Sequence, residues 1–171
     1  MTELDIQGYK VLVDDEDVER INTRKWYFNK AEFNKNGLSY FIANGSRKGG
    51  QKNLTASLHR FIMKCTKHGG VVIDHIDRNT LNNQKSNLRR CTHKENMRNR
   101  GAQRTNSSGY KGVPHCMEHN NYCMSINTDD GLKFDGYYDN PETPARRYDM
   151  AAIYYHKEFA ATNFPRGEDV C

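Results

Sequence analysis

Long apolar runs are missing from this 171-residue chain. Only 36% of its residues are hydrophobic and mean hydropathy is −0.96. No stretch approaches the roughly 18 consecutive apolar residues that cross a bilayer, so no membrane partner is expected. The opening residues MTELDIQG lack the basic start and apolar centre of a secretory leader. A cytoplasmic location is the expectation. Paired cysteines are missing as well: Cys65, Cys91, Cys116, Cys123 and Cys171 are scattered, with no C-x-x-C. That argues against both a disulfide framework and a zinc ribbon. The low apolar content also argues against one large core, and small modules stabilised partly by partners or metal fit better. There is no long internal repeat and no low-complexity tract.

Charge is present, and it is unevenly placed. The net charge is +5, with residues 1–58 contributing +1, residues 59–104 +8 and residues 105–171 −4. A cationic middle third suits a polyphosphate partner, because each neutralised phosphate releases condensed counterions. A solvated basic face would carry the same charge.

Turn signals divide the chain. Residues 1–58 carry strand-like runs at Val11–Val13, Trp26–Phe28, Tyr40–Ala43 and Leu54–Leu58, separated by Asn36-Gly37 and Gly49-Gly50. Asp14 to Asp17 resembles a helix start with acids in the first turn; an acidic metal cluster is the alternative. Phe61-Ile62-Met63 opens a short segment closing at Gly69-Gly70. GAQRTNSSG, residues 101–109, reads as a linker, with 105–109 joining a core at 59–104 to a module at 110–165 and a tail at 166–171. That module shows strand candidates at 110–115, 122–127 and 133–138, with turns at Asn120-Asn121 and Asp129-Asp130-Gly131. A helix follows, with Asn140 as cap, Pro141 first, and a stripe of Ala145, Tyr148, Ala152 and Tyr155.

The densest chemistry lies in VVIDHIDRNTLNNQKSNLRRCTHKENMRNR, Val71 to Arg100. Val71–Ile73 predicts a strand ending on Asp74-His75, followed by an Asp/Asn/Thr-rich loop. Asn87 to Arg90 predicts a second short strand, and Thr92 with Glu95 a capping box opening a helix that Gly101 ends. A histidine titrating near neutrality can activate water. A carboxylate and an amide oxygen are hard ligands suited to Mg²⁺ or Mn²⁺. Taken singly, Asp74, His75, Asn87 and Asn96 have ordinary structural readings.

Together they closely resemble the HNH, or His-Me finger, nucleases. The likeness runs through Asp74-His75, Asn79-Thr80-Leu81-Asn82-Asn83, Ser86-Asn87-Leu88-Arg89 and Lys94-Glu95-Asn96, with Leu58-His59-Arg60 upstream. The resemblance implies a ββα-metal core in which His75 is the general base and Asn87 pins the loop. It implies that Asp74 and Asn96 hold one Mg²⁺ or Mn²⁺ ion per active site. His93 is the alternative to Asn96 as ligand, disfavoured because it lies three residues early, and His59 either packs or binds phosphate, with packing favoured. Lacking the extra cysteine pairs of other members, the core must take its support from the N-terminal strands. Arg60, Arg89, Arg90, Arg98 and Arg100 are candidates for phosphate contact, against a reading as solvated charge.

Residues Ser107–Pro165 resemble the Apetala-type, ethylene-response-factor DNA-binding domain. The matching residues are Ser108-Gly109-Tyr110-Lys111-Gly112-Val113, Gly136-Tyr137-Tyr138, Ala145, Tyr148-Asp149, Ala151-Ala152-Ile153, His156, Phe159-Ala160 and Asn163-Phe164-Pro165. The resemblance implies a three-stranded sheet laid in the major groove of double-stranded DNA, with Lys111, His115, Tyr122 and Lys133 as contacts. Sheet packing is an equal reading for Tyr122. The expected fold class is therefore α+β: a β-rich N-terminal segment, a ββα-metal core, and a three-stranded antiparallel sheet packed on one helix. The expected function is metal-dependent DNA cleavage by a site-selective homing endonuclease of bacteriophage type, acting in the host cytoplasm as a monomer or dimer. A DNA-binding regulator with a vestigial core and a non-homing phage nuclease are the alternatives.

Overall fold

The computed structural model describes residues 1–28, 41–45, 54–65, 70–103 and 105–165, with backbone only at 41–45 and 54–55. The turns expected at Asn36-Gly37 and Gly49-Gly50, Gly69 and the tail 166–171 lie outside the described residues. Helices and small sheets alternate, in keeping with an α+β nuclease. Two compact units form, Met1–His93 and Lys94–Cys171.

The first unit opens with a hairpin, β1 (Thr2–Ile6) and β2 (Tyr9–Val13), in register from Thr2↔Val13 to Ile6↔Tyr9. Its turn uses Gln7 and Gly8, both at positive φ, as a tight antiparallel connection requires. β1 was not among the strand-like runs, because its apolar positions are only Leu4 and Ile6. Helix α1 (Asp15–Asn22) follows, and then an antiparallel sheet of β3 (Lys25–Phe28), β4 (Phe41–Gly45) and β5 (Leu54–Ser57). Helix α2 (Leu58–Ile62) starts three residues ahead of the apolar segment read from sequence. The hairpin β6 (Val72–His75) and β7 (Leu88–Cys91) completes the unit.

Ile6, Val11, Val13, Ile21, Trp26, Leu58, Ile62, Ile73 and Leu88 form one buried cluster. Strands β6 and β7 therefore share a core with the N-terminal segment, the support expected of it. Arg20 on α1 adds polar ties, donating to the carbonyls of Phe61 (3.2 Å) and Ile62 (2.9 Å).

Helix α3 (His93–Arg98) spans the division between the units and ends at Arg98, ahead of Gly101. In the second unit, β8 (His115–Cys116), β9 (Asn121–Thr128) and β10 (Gly131–Tyr138) form an antiparallel sheet of order β10-β9-β8. Helix α4 (Glu142–His156) packs Tyr148 and Ala152 on Met124 and Ile126. Asn140 accepts from Thr143 N–H at 2.9 Å, the capping expected of it. The stretch Tyr110 to Val113 is a turn rather than a strand. Gly112, at φ +72°, lies against the Tyr148 ring, where an added Cβ would come within 1.9 Å. The segment read as a linker is ordered around Asn106: Nδ2 donates to Tyr110 O (2.5 Å) and Oδ1 accepts from Ser108 N–H (3.0 Å).

Candidate active site

β6 and β7 pair Asp74 with Arg89 and His75 with Leu88. Successive strand residues alternate in direction, so Ile73 enters the core, Asp74 points the other way, and His75 returns to the side of Ile73. Asp74 and His75 are each 7% exposed. The Asp74 carboxylate meets Arg89 across the hairpin, Oδ2 accepting from Nε at 2.9 Å and from the terminal amine at 2.8 Å. A charge so little exposed needs such a partner.

His75 is held from two sides. Its Nε2 lies 3.3 Å from Asn83 Oδ1, and the His59 ring stands edge-on with centroids 5.2 Å apart. His59 in turn reaches Ser57 Oγ at 3.3 Å. Burial pushes the His75 imidazole below its usual range, against the opposing pull of Asn83, Asp77 and Asp74. His59 is driven down to about 3 by burial, with the charges of His75 and Arg60 adding to it. Both rings are neutral at physiological pH, and a neutral imidazole is the form that accepts a proton.

The loop between the strands is braced from within. Asn87 Oδ1 accepts from Asp77 N–H at 3.0 Å, while Nδ2 donates to Asp77 Oδ1 and Asn82 O, each at 2.8 Å. Ile76 N–H reaches Asn87 O at 2.9 Å. It is also braced from the N-terminal hairpin. Leu12 N–H donates to Leu81 O and Asn83 N–H to Leu12 O, both at 2.8 Å. Asp14 does not cap its own helix. Its carboxylate accepts from Lys85 N–H at 2.8 Å and Gln84 Nε2 at 3.5 Å. Lys85 Nζ pairs with Glu16 and, at 2.8 Å, with Asp17. The acidic run is thus a clamp on the loop, and the expectation that it opens a helix is met by α1.

The first unit therefore brings Asp74, His75, Asn87 and Arg89 together. Asn96 stands half-buried on α3, and His93 is exposed at the start of that helix. Among the described residues no group of three His, Cys, Asp or Glu side chains is placed to hold a metal. Asp74 is the buried carboxylate of the hairpin, and a carboxylate is an oxygen donor of the kind that suits a hard dication.

Arg60, Arg90, Arg98 and Lys111 have internal partners. Arg60 donates to Val71 O at 2.7 Å, and Arg90 to Met63 O at 3.1 Å. Arg98 pairs with Asp129 at 2.8 Å, and Arg100 is half-buried. Lys111 Nζ donates to Arg98 O at 2.5 Å, closing the C-terminal end of α3. His115 and Tyr122 pack ring on ring at 5.0 Å. Lys133 is exposed on β10 opposite Ile126, whereas Tyr122 has the parity of Met124 and Ile126. By register both lie on the α4 side of the sheet. The opposite face carries Ser125, Asn127, Leu132, Phe134 and Tyr137.

Sequence reasoning passed over Asn83, the packing role of His59 against His75, and the Asp14–Lys85 clamp. Asn83 ends the Asn79–Asn83 run, but nothing local distinguishes it from Asn82.

A family model described as HNH endonuclease matches residues 59–98. A protein of Acanthamoeba polyphaga mimivirus described as an uncharacterized HNH endonuclease is 32% identical over 148 residues, covering 84% of this chain and 68% of that protein. No solved structure matches. Strand, loop, strand and helix, with Asp74-His75 and Asn87 in place and this relative spanning most of the chain, give one conclusion: the chain belongs to the HNH endonuclease family.

Proposed function

We propose that this endonuclease cuts double-stranded DNA at selected sites by one-metal chemistry, with His75 as general base and a C-terminal module that reads the target. The observation that carries the reading is the buried, neutral His75 held by Asn83 beside the Asp74–Arg89 pair. Asp74 and Asn96 would hold the ion, Mg²⁺ or Mn²⁺, which supplies charge neutralisation at the scissile phosphate when bound. His75 takes a proton from water as the oxygen attacks phosphorus, and the bond to the leaving oxygen breaks. Asn87 keeps the loop, and with it His75, in place. Arg89, which pairs with Asp74 across the hairpin, would be available to a phosphate oxygen when Asp74 is engaged by the ion.

The second unit is read as the Apetala-like module. Register favours the face of Ser125, Asn127, Leu132, Phe134 and Tyr137 for the groove, since α4 covers the other. Lys133 lies at the edge of the sheet, and Lys111 anchors α3. A module of this kind raises the local concentration of the cutting unit at its target, as a homing enzyme requires.

The test is cleavage of plasmid and source genome with Mg²⁺ or EDTA, alongside His75→Ala. Metal-dependent cutting at a few sites, lost in the variant with DNA binding retained, supports the proposal. Binding without cleavage would instead indicate a regulator, and indiscriminate degradation a non-homing nuclease.

A further inference from the structure

The turn that leaves β6 is pinned at three successive residues. Ile76 N–H donates to Asn87 O at 2.9 Å and Arg78 N–H to His75 O at 3.0 Å. Between them, Asp77 N–H donates to Asn87 Oδ1 at 3.0 Å. A turn of this kind brings its first and last Cα atoms within about 7 Å, so the Arg78 backbone is fixed beside that of His75. Burial changes abruptly here: Ile73, Asp74 and His75 are buried, whereas Ile76 to Asn79 are exposed. Arg78 has φ +66°, in the left-handed region, where a Cβ is crowded and glycine fits without that cost. Such an outlier points to a use for the side chain.

The protein itself does not use it. The neighbouring carboxylate is already engaged: Asp77 Oδ1 accepts from Asn79 N–H and Asn87 Nδ2, and Oδ2 from Asn82 Nδ2, each at 2.8 Å. Among the described residues the Arg78 guanidinium has no hydrogen bond and no ion pair. Arg20, Arg60, Arg89 and Arg90 of the same unit all donate to carboxylates or carbonyls. A cationic fork of donors, exposed and held on a pinned turn, matches the oxygens of a phosphate.

We infer that Arg78 binds a backbone phosphate of the DNA strand next to the one that is cut, seating that strand at His75. The inference rests on the proposal that the β6–β7 hairpin is the cutting site. A phosphate contact carries no sequence information, so it acts on all duplexes alike.

The test uses the full-length protein and a DNA duplex of random sequence, with binding titrated in EDTA from about 50 to 200 mM salt. Arg78→Gly removes the guanidinium and suits the backbone, so its unfolding midpoint should be no lower than that of the wild type. Its affinity should fall about fivefold. The slope of log K against log salt should lose about 0.9, the counterion release of one phosphate. KM for cleavage should rise about fivefold, while the single-turnover rate on saturating DNA stays within about twofold. Arg78→Lys keeps the charge and should restore the slope. Unchanged affinity and slope in Arg78→Gly overturn the inference. A lowered midpoint, with a slope that Arg78→Lys does not restore, overturns it too, because the role is then structural. The salt slope is measured without cleavage. A His75→Ala protein that cuts at the wild-type rate would therefore remove the cutting-site reading by itself, separately from a failed phosphate contact.

Discussion

Asp74 and Arg89 show how the hairpin manages a nearly buried carboxylate, the one proposed above to hold a cation. The guanidinium supplies charge and two hydrogen bonds from the paired strand. Arg89→Met removes that partner, and the expected cost is about 3 kcal/mol of unfolding free energy without metal. Added Mn²⁺ should then raise the melting temperature of the variant more than that of the wild type, because a dication can replace the lost guanidinium. Equal shifts would count against Asp74 as a metal ligand. His59 gives a pH signature at the same scale. Its pKa is about 3 when folded and near 6.5 when unfolded, so between those values the unfolded chain binds more protons. The stability His59 contributes is whole above pH 6.5 and is lost as pH falls toward 3. The difference in stability between wild type and His59→Gln should therefore narrow from pH 7 to pH 4. A constant difference in denaturant titrations would show that His59 is not held neutral.

At the scale of elements, the loop between β6 and β7 owes its shape to chain far from it. Asp14 stands where an N-cap belongs, yet its carboxylate holds Lys85 N–H at the start of the 3-10 turn (Lys85–Asn87) that delivers Asn87. Asp14→Ala should cost about 1–2 kcal/mol, as loss of a cap does, and lower cleavage with it. Asp15→Ala is the control, since exposed Asp15 pairs with Met1 and Thr2 of the hairpin and not with the loop segment that Asp14 holds. Matching losses in thermal unfolding and activity would sink the clamp. This contact also shows what sequence reading can reach. Strands β6 and β7, the start of α3, the Asn140 cap and the α4 stripe are local patterns of period two or four, and Asp74, His75 and Asn87 stand inside them. The Leu12–Asn83 bonds and the Asp14 clamp join residues remote in sequence through backbone groups that every residue carries. No pattern of side chains announces them. Tyr110 to Val113 misread as strand for a related reason: the close approach of Gly112 to Tyr148 is set by α4, not by its neighbours.

For the whole molecule, a linker at 105–109 is too simple a division, because helix α3 takes its partners from the chain beyond it. Lys94 and Arg98 of α3 pair with Asp129, and Lys111 closes the helix at Arg98 O, so the second unit supports the helix that carries Asn96. Deleting residues 107–171 removes those partners and should lower intrinsic cleavage as well as site preference. The target reading proposed above is tested on the sheet face, where Phe134 and Tyr137 are each about half exposed and their rings lie 5.3 Å apart. Both are remote from α4, so Phe134→Ala with Tyr137→Ala leaves Met124, Ile126 and Tyr148 packed as they are. Affinity for target over random DNA should fall about tenfold, as for loss of a base contact. The single-turnover rate on saturating DNA should stay within about twofold. Binding and nicking assays on one fragment measure both quantities. Unchanged discrimination would move target reading off this face, whereas a collapsed rate at saturation would mean that the face contributes to the chemistry.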